Sequence, residues 1–435
     1  MIERMFDLHH NNTTVAQEIM AGMVTFMTMA YIIFVNPSIL AEAMGKEYLP
    51  ALTVATCLAA GIATICMGLL SNSPFALASG MGLNAFAAYG VILGMKLPWP
   101  TVMGIIFIEG TIVTLLVLTN VREWVMDAIP LDLKRAMGVG IGLFIAFIGL
   151  KNASLVVTDP VTYLTFGQLG QESLIALAGL ILTAVLIVRK IKGSILLGIL
   201  FSSLLGLWLG LAKFPDSWVM TVRPEYFSTF FKLDIRSALH LGLATTIFTF
   251  LITDFFDTMG TIVAVGEEAG FITKEGKFPR LRSVLLIDSL AAVLGALFGC
   301  SSVTTYVEST AGVAEGGRTG LTSVVTGLLF VLAVFIAPVV CLVPSCATAP
   351  ALIMVGVLML SVVKTIRWDD MTVALPAALT ILMIPLTFSI SKGIGYGFIS
   401  YVLICVLTGK GRQIHPLMAV SSVAFGIDFF LSSIG

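Results

Sequence analysis

Apolar residues run along this chain in blocks of about 17 to 25, separated by short polar loops. Blocks of that length suit helices crossing a hydrocarbon core of about 30 Å, and the ten-residue alternating strands of a membrane barrel are not seen. Fourteen such runs are predicted between residues 17 and 409, seven before residue 212 and seven from 240 onward. The loop between them, 213–239, carries Pro215, Pro224 and the aromatic run Tyr226 to Phe231. A repeat of seven spans must invert on its second passage, so residues 1–212 and 240–412 are expected as two inverted repeats, an architecture of many secondary transporters. In each half the third run is short and interrupted by small residues. The first reads Ser-Pro-Phe-Ala-Leu-Ala-Ser-Gly-Met-Gly-Leu-Asn-Ala-Phe (73–86) and the second Gly-Cys-Ser-Ser-Val-Thr-Thr-Tyr-Val-Glu-Ser-Thr-Ala-Gly (299–312). Each begins β-prone and continues helical, which predicts broken third and tenth spans whose freed backbone groups face a midplane cavity. The tail, 413–435, holds an apolar stretch from His415 to Leu431 with Asp428 inside it, readable as an interfacial helix or a further span.

Composition agrees with an all-α membrane protein. The chain is 58% hydrophobic and 11% charged with a mean hydropathy of +1.03, against about 25% charged residues in soluble domains. With the N-terminus cytoplasmic, 16 of the 24 Lys and Arg fall on the inner side, among them Arg122, Lys134, Arg135, Lys274, Lys277 and Arg318, and the other 8, Lys213 included, fall outside. That asymmetry is the positive-inside bias expected of a cell-membrane protein. The first ten residues lack the pattern of a cleavable signal, so the N-terminus is expected to be retained. Six cysteines, Cys57, Cys66, Cys300, Cys341, Cys346 and Cys405, have no metal-ligand spacing and read as small buried residues. The four histidines lie near span ends. No cofactor, metal or nucleic-acid partner is called for, and the basic loops need only lipid head groups.

The chemistry concentrates in residues 248–266, a hydrophobic span with two aspartates in its middle. A charged group at the bilayer centre costs about 2.5 to 3.5 kcal/mol on insertion scales, so Asp254 and Asp257 are expected to face protein or a water-filled cavity. Phe250, Asp254, Asp257 and Thr261 fall at i, i+4, i+7 and i+11, on one stripe. Carboxylates can also join helices by hydrogen bonds, but two acids three residues apart repel one another and make poor glue. Glu308 stands at the start of the second half-helix, where the helix dipole favours an anion; the alternative is an N-cap. Asn84 in the first broken span supplies donors and an acceptor, or else bonds a neighbouring helix. With Gly82, Thr305 and Ser309 these residues outline a pocket for a flat, neutral heterocycle rich in hydrogen-bonding groups. One acid can accept ring NH groups while Asp254, Asp257 or Glu308 carries a coupling proton, with Thr261 alongside. Glu109 and Asp288 read as helix-bridging acids or parts of a proton path.

These residues sit in motifs that resemble the nucleobase cation symporter-2 superfamily, within it the azaguanine-type branch of purine permeases. The resemblance rests on Glu18-Ile-Met-Ala-Gly22, Thr25-Phe26, Met29-Ala30-Tyr31, Val35-Asn36-Pro37, Gly80-Met81-Gly82-Leu83-Asn84-Ala85-Phe86 and Asp254 to Thr261. It extends through Thr304-Thr305-Tyr306-Val307-Glu308-Ser309, Gly316 to Thr322 and Ala349-Pro350-Ala351-Leu352. It implies a fold like the uracil permease, with fourteen spans, a core domain of spans 1–4 and 8–11 and a gate domain of spans 5–7 and 12–14. It further implies proton-coupled import of purine bases by alternating access, with functional roles at Asn84, Asp254, Asp257 and Glu308 and contacts across a homodimer through the gate. Asp257 takes the place of the glutamate that holds the base in the uracil permease; which of the two aspartates touches substrate stays open. Hypoxanthine and guanine, with a lactam NH beside a carbonyl, fit a carboxylate and an amide, whereas adenine reverses that edge. An anion transporter of the same fold would need a cation in place of clustered acids. An intramembrane aspartyl protease would need two aspartates sharing a proton, such as Asp257 and Asp288, but the Gly-x-Gly-Asp setting is missing.

Overall fold

A computed structural model describes residues 2–119, 129–211, 223–271, 280–340 and 343–434. Arg122, Lys213, Pro215, Lys274, Lys277 and Cys341 lie outside the described residues. Among the described residues ten helices are long and apolar enough to cross a membrane, and four shorter apolar helices accompany them.

The first run opens at Thr14, whose hydroxyl accepts the Gln17 N–H at 3.3 Å and caps α1 (Val15–Met29). It breaks at Ala30–Tyr31 and resumes as α2 (Ile32–Met44). Pro37 stands in the second turn of α2, and its missing N–H and its ring work against an unbroken helix through Ile33. Then follow α3 (Leu49–Ser71), β1 (Leu77–Ser79) and α4 (Met81–Ala85), which widens into a π-helix over Phe86–Gly94. Next come α5 (Trp99–Leu118), α6 (Leu131–Asn152), a hairpin of β2 (Val156–Asp159) and β3 (Tyr163–Phe166), α7 (Gln171–Val188) and α8 (Ser194–Trp208). The second half holds α9 (Ala244–Glu268), α10 (Leu281–Phe298), β4 (Val303–Thr305), α11 (Ser309–Ala314) and α12 (Gly320–Ala333). It ends with α13 (Ser345–Leu360), α14 (Met371–Thr387), α15 (Ile390–Leu407) and α16 (Pro416–Ile434).

The β2–β3 hairpin departs from a purely helical expectation. It lies outside the apolar runs, and its Val, Thr, Tyr and Phe residues suit an exposed two-stranded ribbon. Asp159 closes the turn by accepting the Val161 and Thr162 N–H groups, each at 2.8 Å, and those bonds hold its acid below the ordinary aspartate value.

Both interrupted runs have the extended start and helical continuation expected of them. β1 and β4 pair antiparallel with Ala78 opposite Thr304, so the unwound backbone of one break satisfies that of the other. Flanking bonds extend the ladder: Gly80 N–H donates to the Ser302 carbonyl at 3.0 Å and Tyr306 N–H to the Ala76 carbonyl at 2.9 Å. From α3, Thr64 accepts the Leu77 N–H at 2.9 Å and donates to its carbonyl at 3.0 Å.

Helices approach closely where glycines meet. A Cβ on Gly68 of α3 would lie 2.3 Å from the Gly320 carbonyl oxygen of α12, and one on Gly356 of α13 would lie 2.4 Å from that of Gly142 in α6. Wholly buried Glu18 in α1 accepts the backbone N–H groups of Arg318 (2.8 Å), Thr319 (3.3 Å) and Thr322 (3.1 Å) at the start of α12. The distant motifs at Glu18 and at Gly316 to Thr322 are therefore two sides of one helix cap. Within the connector, Phe230 stacks on Phe298 with ring centroids 4.4 Å apart. In the tail, Phe425 of α16 is buried against Phe398 (5.9 Å) and Phe248 (6.1 Å).

Candidate functional site

Between α4, α6, α9 and α13 lies a cavity of about 480 Å³, walled by Gly82 and Leu83 on one side and by Lys134, Met137, Gly138 and Ile141 of α6 on another. α9 contributes Thr253, Phe256, Asp257 and Gly260, and Met359 and Val362 close the remaining side. That volume is within the range of small-molecule pockets, and the lining is apolar with a few charged groups, as such pockets require. Asp257 is exposed to this space, unlike Asp254 one turn before it, which is 1% exposed.

Small residues make the room. A Cβ on Gly138 or Gly260 would meet nothing within 4 Å, so both face open space. Gly82 acts differently: a Cβ there would come within 2.6 Å of the Ile141 Cγ2, so its lack of a side chain lets α4 close against α6. The cations of the cavity are Lys134 and Arg135, and the Lys134 ammonium stands 4.8 Å from the centroid of the Phe256 ring. Along the sequence these two count only as inner-side charges at the start of a span. They belong to the first turns of α6 and face the cavity, which no spacing rule within α6 announces.

The two breaks deliver their functional groups beside this space. Glu308, partly exposed, accepts the Tyr31 hydroxyl at 2.6 Å, and its charge and that of Asp257 are near enough to interact. The helix break at Ala30–Tyr31 is what brings the phenol there. The Glu308 side chain does not cap α11. Asn84 is wholly buried; its amide reaches the Ser79 carbonyl at 3.4 Å and its Oδ1 has no protein partner. Ser309 ties the breaks together by accepting the Ala76 N–H at 3.0 Å, and Thr261 donates to the Thr305 carbonyl at 3.4 Å. Phe250 packs against Phe86 with centroids 4.7 Å apart. Of the sequence candidates, Gly82 and Asp257 line the cavity. Asn84, Phe250, Asp254, Thr261, Thr305, Glu308 and Ser309 stand outside its lining, most of them in the scaffold that holds the breaks.

Behind α9 a second acidic cluster gathers. Asp288 of α10 accepts the Thr258 hydroxyl (2.6 Å), the Thr304 hydroxyl (3.3 Å) and the Thr305 N–H (2.8 Å). Asp254 accepts Ser302 at 3.4 Å through one oxygen, and its other oxygen has no protein partner. Glu109 of α5 completes the group.

The profile of the Permease family (Xan_ur_permease) matches residues 16–395. The chain belongs to the Permease family. The motif resemblance to nucleobase cation symporters agrees with this, and membership makes the protein a transporter, setting the protease reading aside. The permease is similar to the adenine permease AdeP of Escherichia coli, 42% identical over 98% of this chain and 95% of that one. It is also similar to the guanine/hypoxanthine permease PbuG of Bacillus subtilis, 41% identical over 98% of this chain and 99% of that one. Among solved structures it shares its fold with the transmembrane domain of a cyanobacterial bicarbonate transporter, BicA, at a TM-score of 0.60 and 13% identity over 86% of this chain and 96% of that one.

Proposed function

We propose that this permease imports purine nucleobases across the cell membrane by proton symport, with the base held in the cavity beside Asp257 and Glu308. The observation that carries the reading is the position of Asp257: a carboxylate open to an otherwise largely apolar cavity can accept ring NH groups without needing a cationic substrate. Relatives named as adenine and as guanine/hypoxanthine permeases support purines as the substrate class. We place hypoxanthine and guanine first, on the fit of a lactam edge to a carboxylate and an amide; adenine is the second reading, supported by the 42% identity to an adenine permease.

The proposed architecture has fourteen crossings in two inverted sevens, core and gate. Two helix contacts support it: α3 against α12 in one place and α10 against α5 in another are the pairs that an inverted repeat would exchange. With the N-terminus cytoplasmic, the Lys134 and Arg135 end of the cavity faces the cytoplasm, which makes this an inward-facing state of an alternating-access cycle. The gate helices would carry a homodimer contact. Uptake of labelled hypoxanthine, competed by guanine, adenine, xanthine and uracil with and without a protonophore, tests substrate and energy source together. Competition by guanine and loss with the protonophore are expected; uptake indifferent to every purine would refute the reading.

A further inference from the structure

Glu109 stands in the middle of α5 with no accessible surface, and among the described residues neither of its carboxyl oxygens has a hydrogen-bond partner and no cation pairs with it. Such a side chain makes no direct hydrogen bond from one helix to another among the described residues. Its helix is fixed against α10 by other groups: Thr114 donates to Ser289 at 3.0 Å, and a Cβ on Gly110 would meet Val293 at 3.0 Å. The charged groups that face it are Asp254 from α9 and Asp288 from α10. α5 carries no other charged residue, and Arg282 on α10 turns away to the Leu118 carbonyl at 3.3 Å.

The three acids differ in a way that assigns them different states. Asp288 receives three donors and is satisfied as an anion. Asp254 is half satisfied, with one oxygen unpartnered, and Glu109 is not satisfied at all. A buried carboxylate that receives no donor from the protein, close to two further acids, is strongly favoured in its protonated, neutral form. A proton neutralises such a carboxyl without needing any further ligand. None of the three lines the cavity, so the cluster is separate from it.

We infer that Glu109, buried in α5 with both carboxyl oxygens lacking a protein partner, forms a proton-carrying site separate from the purine cavity, and that Glu109 takes up and releases the ion that drives accumulation. The inference rests on the symport reading above. In proteoliposomes, wild-type permease accumulates purine about tenfold per unit of imposed pH gradient for one proton per purine. Glu109→Gln should abolish that accumulation while keeping purine counterflow, which needs no gradient. Accumulation by Glu109→Gln equal to wild type overturns this assignment alone; a wild type that ignores the pH gradient overturns the symport reading and the assignment with it. Should the variant fail to reach the membrane, wild-type protein decides through dicyclohexylcarbodiimide, which attacks protonated carboxyls in apolar surroundings. Modification of Glu109, read by peptide mass, that falls as pH rises and is indifferent to sodium supports the site. No modification, or protection by sodium at fixed pH, overturns it.

Discussion

One helix, α6, behaves in opposite ways at its two ends. Near its start, Lys134, Met137, Gly138 and Ile141 stand back from α9 and line the cavity. At its far end, the Asn152 amide donates to Glu42 of α2 at 3.0 Å, and the same carboxylate accepts the Tyr89 hydroxyl at 2.5 Å. Lys151 adds its ammonium 5.5 Å from the centroid of the Tyr89 ring. The open end is made of apolar walls and glycines with Asp257, Lys134 and Arg135 among them, the closed end of polar contacts that can be exchanged for water. Between these ends, Gly142 and Gly356 bring α6 and α13 together backbone to backbone. A latch of hydrogen bonds at one end and space at the other suits the proposed alternating access, since each bond to the carboxylate contributes about 1.5 to 3 kcal/mol and can be exchanged for one to water.

The largest effects are expected in the open end and beside it. Glu308→Gln removes the charge that holds the Tyr31 hydroxyl, and uptake should fall by about 100-fold, in line with roughly 3 kcal/mol for a charged hydrogen bond, while the protein still reaches the membrane. Initial rates at matched membrane levels measure this. Filling the space comes next: Gly260→Leu should block purine uptake, whereas Gly260→Ala, whose Cβ meets nothing, should transport and gain up to about 1 kcal/mol of helix stability, read as a raised melting temperature. At the hinge of the comparison, Gly82→Val collides with Ile141 and should slow uptake about tenfold; adding Ile141→Ala should restore much of it, a coupling read in a double-mutant cycle. The smallest change is at the latch. In a background with cysteine at Asn152, which already lacks one of the two bonds, Glu42→Gln keeps the shape but weakens the other, from Tyr89, and should raise the reactivity of that cysteine towards a hydrophilic maleimide by about fivefold, or roughly 1 kcal/mol.

Much of the open end was legible in the sequence, because an intramembrane carboxylate and a run of small residues are anomalies in an apolar background. Asp257 and the two breaks stand out for that reason, and the β-prone starts at Leu77–Ser79 and Val303–Thr305 do pair. The closed end was not legible. Glu42, Tyr89 and Asn152 each sit near a span terminus, where polar residues are ordinary, and only the fold brings them together. The stripe of Phe250, Asp254, Asp257 and Thr261 also divides its duties in a way periodicity cannot express. Its members meet a ring, a buried acid cluster, a cavity and a backbone carbonyl in turn, because the groove that receives α9 has several walls. Glu109 was visible as a lone acid in an apolar helix, but its lack of partners depends on what α9 and α10 place around it.

In the proposed reading the purine binds in the cavity between α6 and α9. Gly138 can be replaced by cysteine there without a clash, in a background whose native cysteines are unreactive. The measurement is the rate at which a hydrophilic maleimide modifies that cysteine in purified permease, with and without saturating hypoxanthine. Binding in the cavity predicts that the base slows modification severalfold, that guanine does the same and that uracil does not. An unchanged rate in the presence of a purine that the same preparation transports would contradict the account.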